Sequence, residues 1–135
     1  MLKKPLFVEI FILFMVVGVL HRVATVYHLY WSVYEFDSPV HFIAGASLSL
    51  FFIWLYFYSG FFNSQNKSLT KFFLISIFGT MFVAVSWEVF EFILGEALLQ
   101  KVTYPYDTMM DLIMDFLGAV VGCFYGYLKE HNAKF

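Results

Sequence analysis

The sequence contains few charged residues, and this scarcity decides the class of protein. Charged residues make up 13% of the 135 residues and hydrophobic residues 61%, against roughly 25% and 45–50% in ordinary soluble proteins. A chain of this length has too much surface to hide so many apolar side chains in a core of its own. We therefore expect an integral membrane protein with a single transmembrane domain over residues 1–135, surrounded by membrane lipid.

Cysteine and basic residues are also scarce, and each shortage excludes a class of site. The one cysteine, Cys123, excludes an intramolecular disulfide and a zinc site built from several cysteines. Eight lysines and arginines stand against ten acidic residues, for a net charge of −2. A basic patch for nucleic acid is therefore absent, and no nucleic-acid partner is expected.

Four apolar runs are long enough to cross a bilayer, which takes about 20 helical residues. The second and third are separated by a polar segment that carries lysine, whereas the other two breaks are short. The predicted fold class is therefore all-α, with four transmembrane helices arranged as two antiparallel hairpins. A cleaved signal peptide is the alternative for the first run. The four spans cover about residues 6–30, 39–58, 72–94 and 108–128.

Lysines and acidic residues fall at opposite ends of these spans. Positive residues stay on the cytoplasmic side, so both termini are predicted inside. Eight of the ten acids belong to the outer third of the spans or to the outer loops, where His21, Arg22, His28 and His41 also fall. Charges within a membrane normally face a partner or water, so we predict an outward-facing site. The eight acids are Glu35, Asp37, Glu88, Glu91, Glu96, Asp107, Asp111 and Asp115.

Helical spacing brings several of these side chains onto shared faces, because residues three or four apart are neighbours on a helix. Carboxylates and imidazoles bind divalent cations, and carboxylates this close together need a cation or shared protons between them. We therefore predict a divalent metal, Mg²⁺, Mn²⁺ or Zn²⁺. Its predicted ligands are Asp37, His41, Glu88, Glu91, Asp111 and Asp115.

Particular roles follow from position along the spans. Asp115 lies two turns inside the fourth span, where it cannot cap a helix, and together with Glu88 it is a predicted catalytic residue. Arg22, His28 and Asp107 are predicted to bind substrate, with Arg22 as the group that binds an anion. The alternative for Arg22 and His28 is that they extend to the interface or hydrogen-bond within the bundle.

Helix capping is the alternative for the aspartates. Ser38 precedes a proline, as is typical of a helix start, and Asp37 would then only complement the helix dipole. Asp107 or Thr108 would cap the fourth span, with Asp111 closing a capping box.

Small residues predict close packing between the second and fourth spans. Gly118, Gly122 and Gly126 recur every four residues, and Gly45 and Ser49 supply small side chains on the second span. Such surfaces let helix backbones approach one another in a membrane.

Three short motifs occur in order along the chain: Asp37-x-x-x-His41, Trp87-Glu88-x-x-Glu91 and Asp107-Thr108-x-x-Asp111-x-x-x-Asp115. Together they resemble the VanZ-like family of small bacterial membrane proteins, most closely an uncharacterised branch of it. The chain departs from that pattern at Ser38, where lysine is usual, and at Asp115, where asparagine is usual. The resemblance implies a bacterial cytoplasmic (inner) membrane protein in a cell-envelope context, without a settled reaction.

Three functions compete. The first is a metal-dependent hydrolase or transferase that acts on a phosphate-bearing lipid or a cell-wall precursor, since metal ions neutralise phosphoryl charge and activate water. The second is a non-enzymatic protein that binds or transports ions, protons or a cationic ligand, for which four helices would need a homodimer. The third is an accessory membrane subunit whose acids pair with basic residues of a partner.

Overall fold

The structure, a computed structural model, describes residues 3–33, 35–62, 64–95 and 104–132, and within these ranges it contains helices and no strand. Four of the helices are long and apolar enough to span a membrane, which confirms the predicted fold class. The side of the membrane that each end faces stays a prediction. The helices are α1 (Lys3–Val26), α2 (Leu29–Ser32), α3 (Asp37–Phe57), α4 (Leu69–Leu94) and α5 (Tyr104–Asn132).

The predicted span 6–30 extends too far at its end. Helix α1 ends at Val26 because His28 adopts a left-handed backbone with φ 55°, which a continuous right-handed helix cannot include. The short helix α2 then begins at Leu29. The predicted span 108–128 lies within α5, which extends about one turn beyond it at each end.

Helix starts do not follow the capping alternative. The N-cap residue of α3 is Phe36, and its side chain makes no capping hydrogen bond, so Ser38 is not the cap. Helix α5 begins earlier than predicted, and Asp107 and Thr108 lie inside it rather than at its cap. Asp37 in the first turn of α3 and Asp107 in the first turn of α5 are both placed to interact favourably with a helix dipole.

Helices α3 and α5 pack with their backbones in direct contact, as the small residues predicted. A Cβ atom added to Gly45 would overlap the carbonyl of Asp115, and one added to Gly118 would overlap the carbonyl of Phe42. A Cβ atom on Gly122 would lie 2.7 Å from a carbonyl oxygen of α3. These contacts fix the height of Asp115 against the first turns of α3. Helix α4 packs against both α3 and α5, and α1 packs on α3.

The two ends of the bundle differ in chemistry. The lysine end, named here for Lys67 and Lys129, adjoins the apolar core. There Lys67 lies 3.1 Å from Glu130, which also accepts a hydrogen bond from Tyr58, while Lys129 pairs with Glu9 of α1. The core consists of Leu6, Ile10, Leu50, Ile53, Phe72 and Cys123.

The opposite end, the acidic end, contains buried carboxyl groups at the start of α3, the end of α4 and the start of α5. We call the five buried or half-buried residues that meet there the acidic cluster: Asp37, His41, Glu88, Asp111 and Asp115.

Candidate functional site

The acidic cluster is organised around the imidazole of His41, on the second turn of α3. Its Nδ1 atom lies 2.9 Å from Oδ2 of Asp115, which is on α5. Both side chains are buried. An ionised carboxylate can only accept a hydrogen bond, so Nδ1 donates the proton. In the neutral ring that a metal ion would bind, the lone pair is then on Nε2. The contact across the α3–α5 interface therefore fixes the tautomer and orientation of the ring.

The other ring nitrogen of His41, Nε2, faces two further carboxylates. It lies 3.6 Å from Oδ1 of Asp37 and 3.8 Å from Oδ1 of Asp111, both too long for a hydrogen bond. One ligand atom from each of the three residues lies within 4.8 Å of the others. Two ligands about 2.1 Å from a tetrahedral metal ion lie about 3.4 Å apart. A small inward adjustment would therefore let these three side chains coordinate one divalent cation.

Glu88 of α4 extends the cluster on another side. Its side chain is 6% exposed, and neither carboxylate oxygen has a hydrogen-bond partner among the described residues. The hydroxyl of Thr108 faces this carboxylate without the geometry of a hydrogen bond. Glu88 is close enough to His41 and Asp115 for their charges to interact. An unpartnered buried carboxylate is costly, so a group that neutralises or solvates it is expected here.

The charges of the cluster do not balance by themselves. Two carboxylates about 4 Å apart repel by about 4 kcal/mol at an effective dielectric constant of 20. One imidazole neutralises at most one of the four carboxylates beside it. Protons or a divalent cation must supply the remaining positive charge, and the oxygen and nitrogen donors present are those that Zn²⁺ and Mn²⁺ accept.

A second layer of polar aromatic residues lies beside the cluster. The Tyr30 hydroxyl of α2 lies 2.9 Å from Nδ1 of His21, and Nε1 of Trp87 donates a 2.8 Å hydrogen bond to Glu91. The rings of His21 and Trp87 meet edge to face. Burial raises the pKa of Tyr30, and the negative charges of Asp37, Glu91 and Asp111 raise it further. The phenol therefore stays protonated and can donate a hydrogen bond towards the cluster.

The residues predicted from the sequence fall into three groups. Five of the six predicted ligands belong to the acidic cluster, and the sixth is Glu91. Asp107 is half-buried and close enough to His41 for their charges to interact. Glu91 lies in the aromatic layer instead. Arg22 and His28 are exposed, and within the described ranges neither side chain has a hydrogen bond or an ion pair.

Tyr30, His21 and Thr108 lie at the site without having been predicted as site residues. Thr108 was predicted only as a possible helix cap. A signal for Tyr30 and His21 existed, because both lie at the depth of the acids. The break at His28 that brings Tyr30 back over the bundle leaves no mark in the hydropathy pattern.

Comparison with known proteins identifies a family and no closer relative. No curated protein and no solved structure gives a significant match to the chain. Residues 3–132 match the model of a family described as predicted membrane protein DUF2238. Because that match covers nearly the whole chain, the protein belongs to the DUF2238 family of membrane proteins.

Proposed function

We propose that this protein is a metal-dependent membrane enzyme, a hydrolase or transferase that acts on a phosphate-bearing lipid or a lipid-linked cell-wall precursor. The observation that carries the proposal is the orientation of one histidine: Asp115 binds Nδ1 of His41, while Nε2 faces Asp37 and Asp111. Metal-binding histidines typically donate their second ring nitrogen to a carboxylate in this manner.

In this proposal the three protein ligands are Asp37, His41 and Asp111. Asp115 positions the ring of His41 and makes Nε2 a stronger donor. Three protein ligands leave further coordination positions for water or substrate, as in catalytic zinc sites. One imidazole with two carboxylates favours Zn²⁺ or Mn²⁺ over Mg²⁺, which is usually bound through one or two carboxylates, waters and phosphate oxygens.

Glu88 is the proposed proton acceptor. Its carboxylate is buried beside the ligands and has no hydrogen-bond partner among the described side chains. In hydrolysis, a water oxygen would attack phosphorus and Glu88 would accept the proton of the water. The bond from phosphorus to the leaving oxygen would break, and the proton on Glu88 would pass to that oxygen. Binding of water near a divalent cation makes that proton easier to remove, and a positioned carboxylate can take it.

Location supports a lipid headgroup as substrate. Asp37 is the most exposed of the three ligands, with 30% of its side chain accessible, and it stands at the very start of a membrane-spanning helix. A site at this depth meets the phosphates of lipids. Exposed Arg22 on α1 is the proposed partner for the phosphate charge, with His28 and Asp107 as the other proposed substrate contacts.

The proposed setting is the bacterial inner membrane, with the acidic end facing outward. The lysines at the other end support this orientation, and the resemblance of the three motifs to those of VanZ-like proteins is the basis for the cell-envelope context. A homodimer remains compatible with the apolar outer faces of α1 and α4.

Phosphate release tests the proposal. Purified protein in lipid nanodiscs is given phosphatidic acid or a polyprenyl diphosphate, with Zn²⁺, with Mn²⁺ or with a chelator. We expect release from at least one substrate that requires metal and is lost in His41→Gln. Glu35→Gln, an acid-to-amide change at an exposed position of the same end, is the matched control and should keep the activity. Release that survives chelation, or none from either substrate with metal present, would overturn the enzymatic proposal.

A further inference from the structure

One face of α4 carries a line of polar groups deep into the membrane. Ser76, Thr80 and Glu88 lie on this face at helical spacing, with Ala84 between them, and all four are buried. The side-chain oxygens of the three polar residues have no hydrogen-bond partner of good geometry in the described part of the chain. Twelve residues separate Ser76 from Glu88, so the line extends about 18 Å along the helix axis.

Several other hydroxyl groups in the same bundle are satisfied. Thr25, Ser47 and Ser86 each donate to the carbonyl four residues earlier, at 2.7–2.8 Å. This is the usual solution for a hydroxyl group in a membrane helix. Ser49 instead donates to the Ala119 carbonyl of α5 at 2.9 Å. Neither the Ser76 nor the Thr80 hydroxyl makes such a bond, although both residues are fully buried. The one polar neighbour of Ser76 among the described side chains is the thiol of Cys123, a weak hydrogen-bonding group, so both hydroxyls can bind a further partner.

Internal water is the partner that fits this line. Buried water in proteins binds where two or more polar groups lack hydrogen bonds. A cavity with apolar walls stays empty instead. A hydroxyl group both donates and accepts, so alternating hydroxyls and waters can pass a proton along. A pathway for metal cations would need carboxylates along its length. Among the buried residues of α4, Glu88 alone has a carboxylate, so protons fit this line better than metal cations.

The line ends at a group of packed aromatic rings around Phe72, before it reaches the lysine end. Phe72, one turn beyond Ser76, is fully buried. Its ring stacks on Phe57 with centroids 4.5 Å apart and meets Tyr127 edge to face at 5.6 Å. Beyond these rings the next polar groups are Lys67 and Tyr58, which contact Glu130. Hydrophobic constrictions of this kind close pathways by excluding water.

We propose that the buried face of α4 holds a file of internal water that conducts protons between the acidic cluster and the lysine end, with Phe72 as the closed gate. The pathway reaches the acidic cluster at Glu88, the proposed proton acceptor. The residues changed in its test are Phe72 and Thr80, neither of which is a proposed metal ligand or proton acceptor, so the flux result does not depend on the enzymatic proposal.

Proton flux into liposomes tests the pathway. The purified protein is reconstituted with a pH-sensitive dye inside, and a potassium gradient with valinomycin drives proton entry. We expect slow entry for the parent, entry several-fold faster for Phe72→Ala, and a return to the parent rate when Thr80→Val is added to Phe72→Ala. Phe78→Ala is the matched control, because it removes the same side chain from a position on α4 that is 72% exposed.

Two flux results would overturn the proposal: Phe72→Ala no faster than Phe78→Ala, or Phe72→Ala equally fast with and without Thr80→Val. Gel filtration checks that each variant is folded. If Phe72→Ala does not fold, the melting temperature of Thr80→Val alone decides. A hydroxyl bound to water gives an unchanged or lower melting temperature on replacement, whereas a rise would show that Thr80 is dry and that no water file exists.

Discussion

His41 and Asp115 meet across the interface of α3 and α5, with Nδ1 of the histidine 2.9 Å from a carboxylate oxygen of the aspartate. The two residues are 74 positions apart in the chain, and the backbone contact at Gly45 sets the distance between their helices. Because Asp115 occupies Nδ1, the nitrogen that faces Asp37 and Asp111 is Nε2, the one that carries the lone pair when the ring is neutral. The site therefore has one histidine in a defined orientation rather than a loose group of acids.

Replacement of Asp115 by asparagine should weaken metal binding without removing the site. The asparagine oxygen can still accept the proton of Nδ1, but the negative charge that strengthens the donor is lost. Loss of such an outer carboxylate typically lowers metal affinity about 10–100-fold. Titration of purified Asp115→Asn with Zn²⁺ by calorimetry measures the change, with Glu35→Gln as control. An affinity equal to that of the parent would contradict the positioning role of Asp115.

Replacement of Glu88 by glutamine should separate binding from turnover. Glu88 lies outside the three residues whose ligand atoms converge, so the variant should retain its metal. It should lose phosphate release, because an amide cannot accept a proton from water. Parallel measurements of metal content and phosphate release check this. Loss of metal from Glu88→Gln would instead make Glu88 a ligand, as the sequence motif predicted, and retained activity would remove its proposed role.

Gly45→Ala should destabilise the bundle and disturb the site together. The added Cβ would overlap the Asp115 carbonyl, forcing α3 and α5 apart at the level of the acidic cluster. Overpacking of this kind costs about 1–3 kcal/mol of the free energy of unfolding. Thermal unfolding in detergent measures the loss.

Gly18→Ala is the matched control for this substitution, since a Cβ there meets nothing within 4 Å. It should be neutral or slightly stabilising, because alanine favours a helix by about 1 kcal/mol over glycine. Equal melting temperatures for Gly45→Ala and Gly18→Ala would refute the close approach of α3 and α5.

Alkaline pH should destabilise the lysine end through Tyr58. Burial raises the pKa of Tyr58, and its hydrogen bond to Glu130 and the charge of that residue raise it further. Folding therefore favours the protonated phenol. The stability it contributes is fully present below the unfolded pKa of about 10 and is lost as pH rises above it.

Thermal unfolding at a series of pH values between neutral and strongly alkaline tests this expectation. The melting temperature of the parent should fall more steeply above about pH 10 than that of Tyr58→Phe, which has no phenol to ionise. Tyr106→Phe, at an exposed position of the acidic end, should follow the parent. Parallel curves for the parent and Tyr58→Phe would show that the phenol of Tyr58 is not held protonated by the fold.

Hydropathy and spacing were sufficient for the four spans and for the close packing of α3 on α5. A helix that must satisfy its own backbone in lipid leaves few alternatives, and Gly118 and Gly122 indicate directly where backbones can touch. The i, i+4 spacing of Asp37 with His41, and of Asp111 with Asp115, correctly placed each pair on one helix face.

Rotation of the helices about their axes could not be predicted at the same level. Glu88 and Glu91 are three residues apart, yet Glu88 is buried in the cluster while Glu91 bonds to Trp87 in the aromatic layer. Which of two neighbouring acids faces inward depends on how α4 packs against α3 and α5. The left-handed residue His28 likewise depends on tertiary contacts, and with it the position of Tyr30.

Elemental analysis of the purified protein tests the central claim most directly. Protein prepared at neutral pH without chelators, then exposed to Zn²⁺ or Mn²⁺ and desalted, should contain about one ion per chain, as expected for a single site with three protein ligands. His41→Gln and Asp111→Asn should contain almost none, while Glu35→Gln should match the parent. A parent that retains no metal, or ligand variants that retain as much as the parent, would contradict the account.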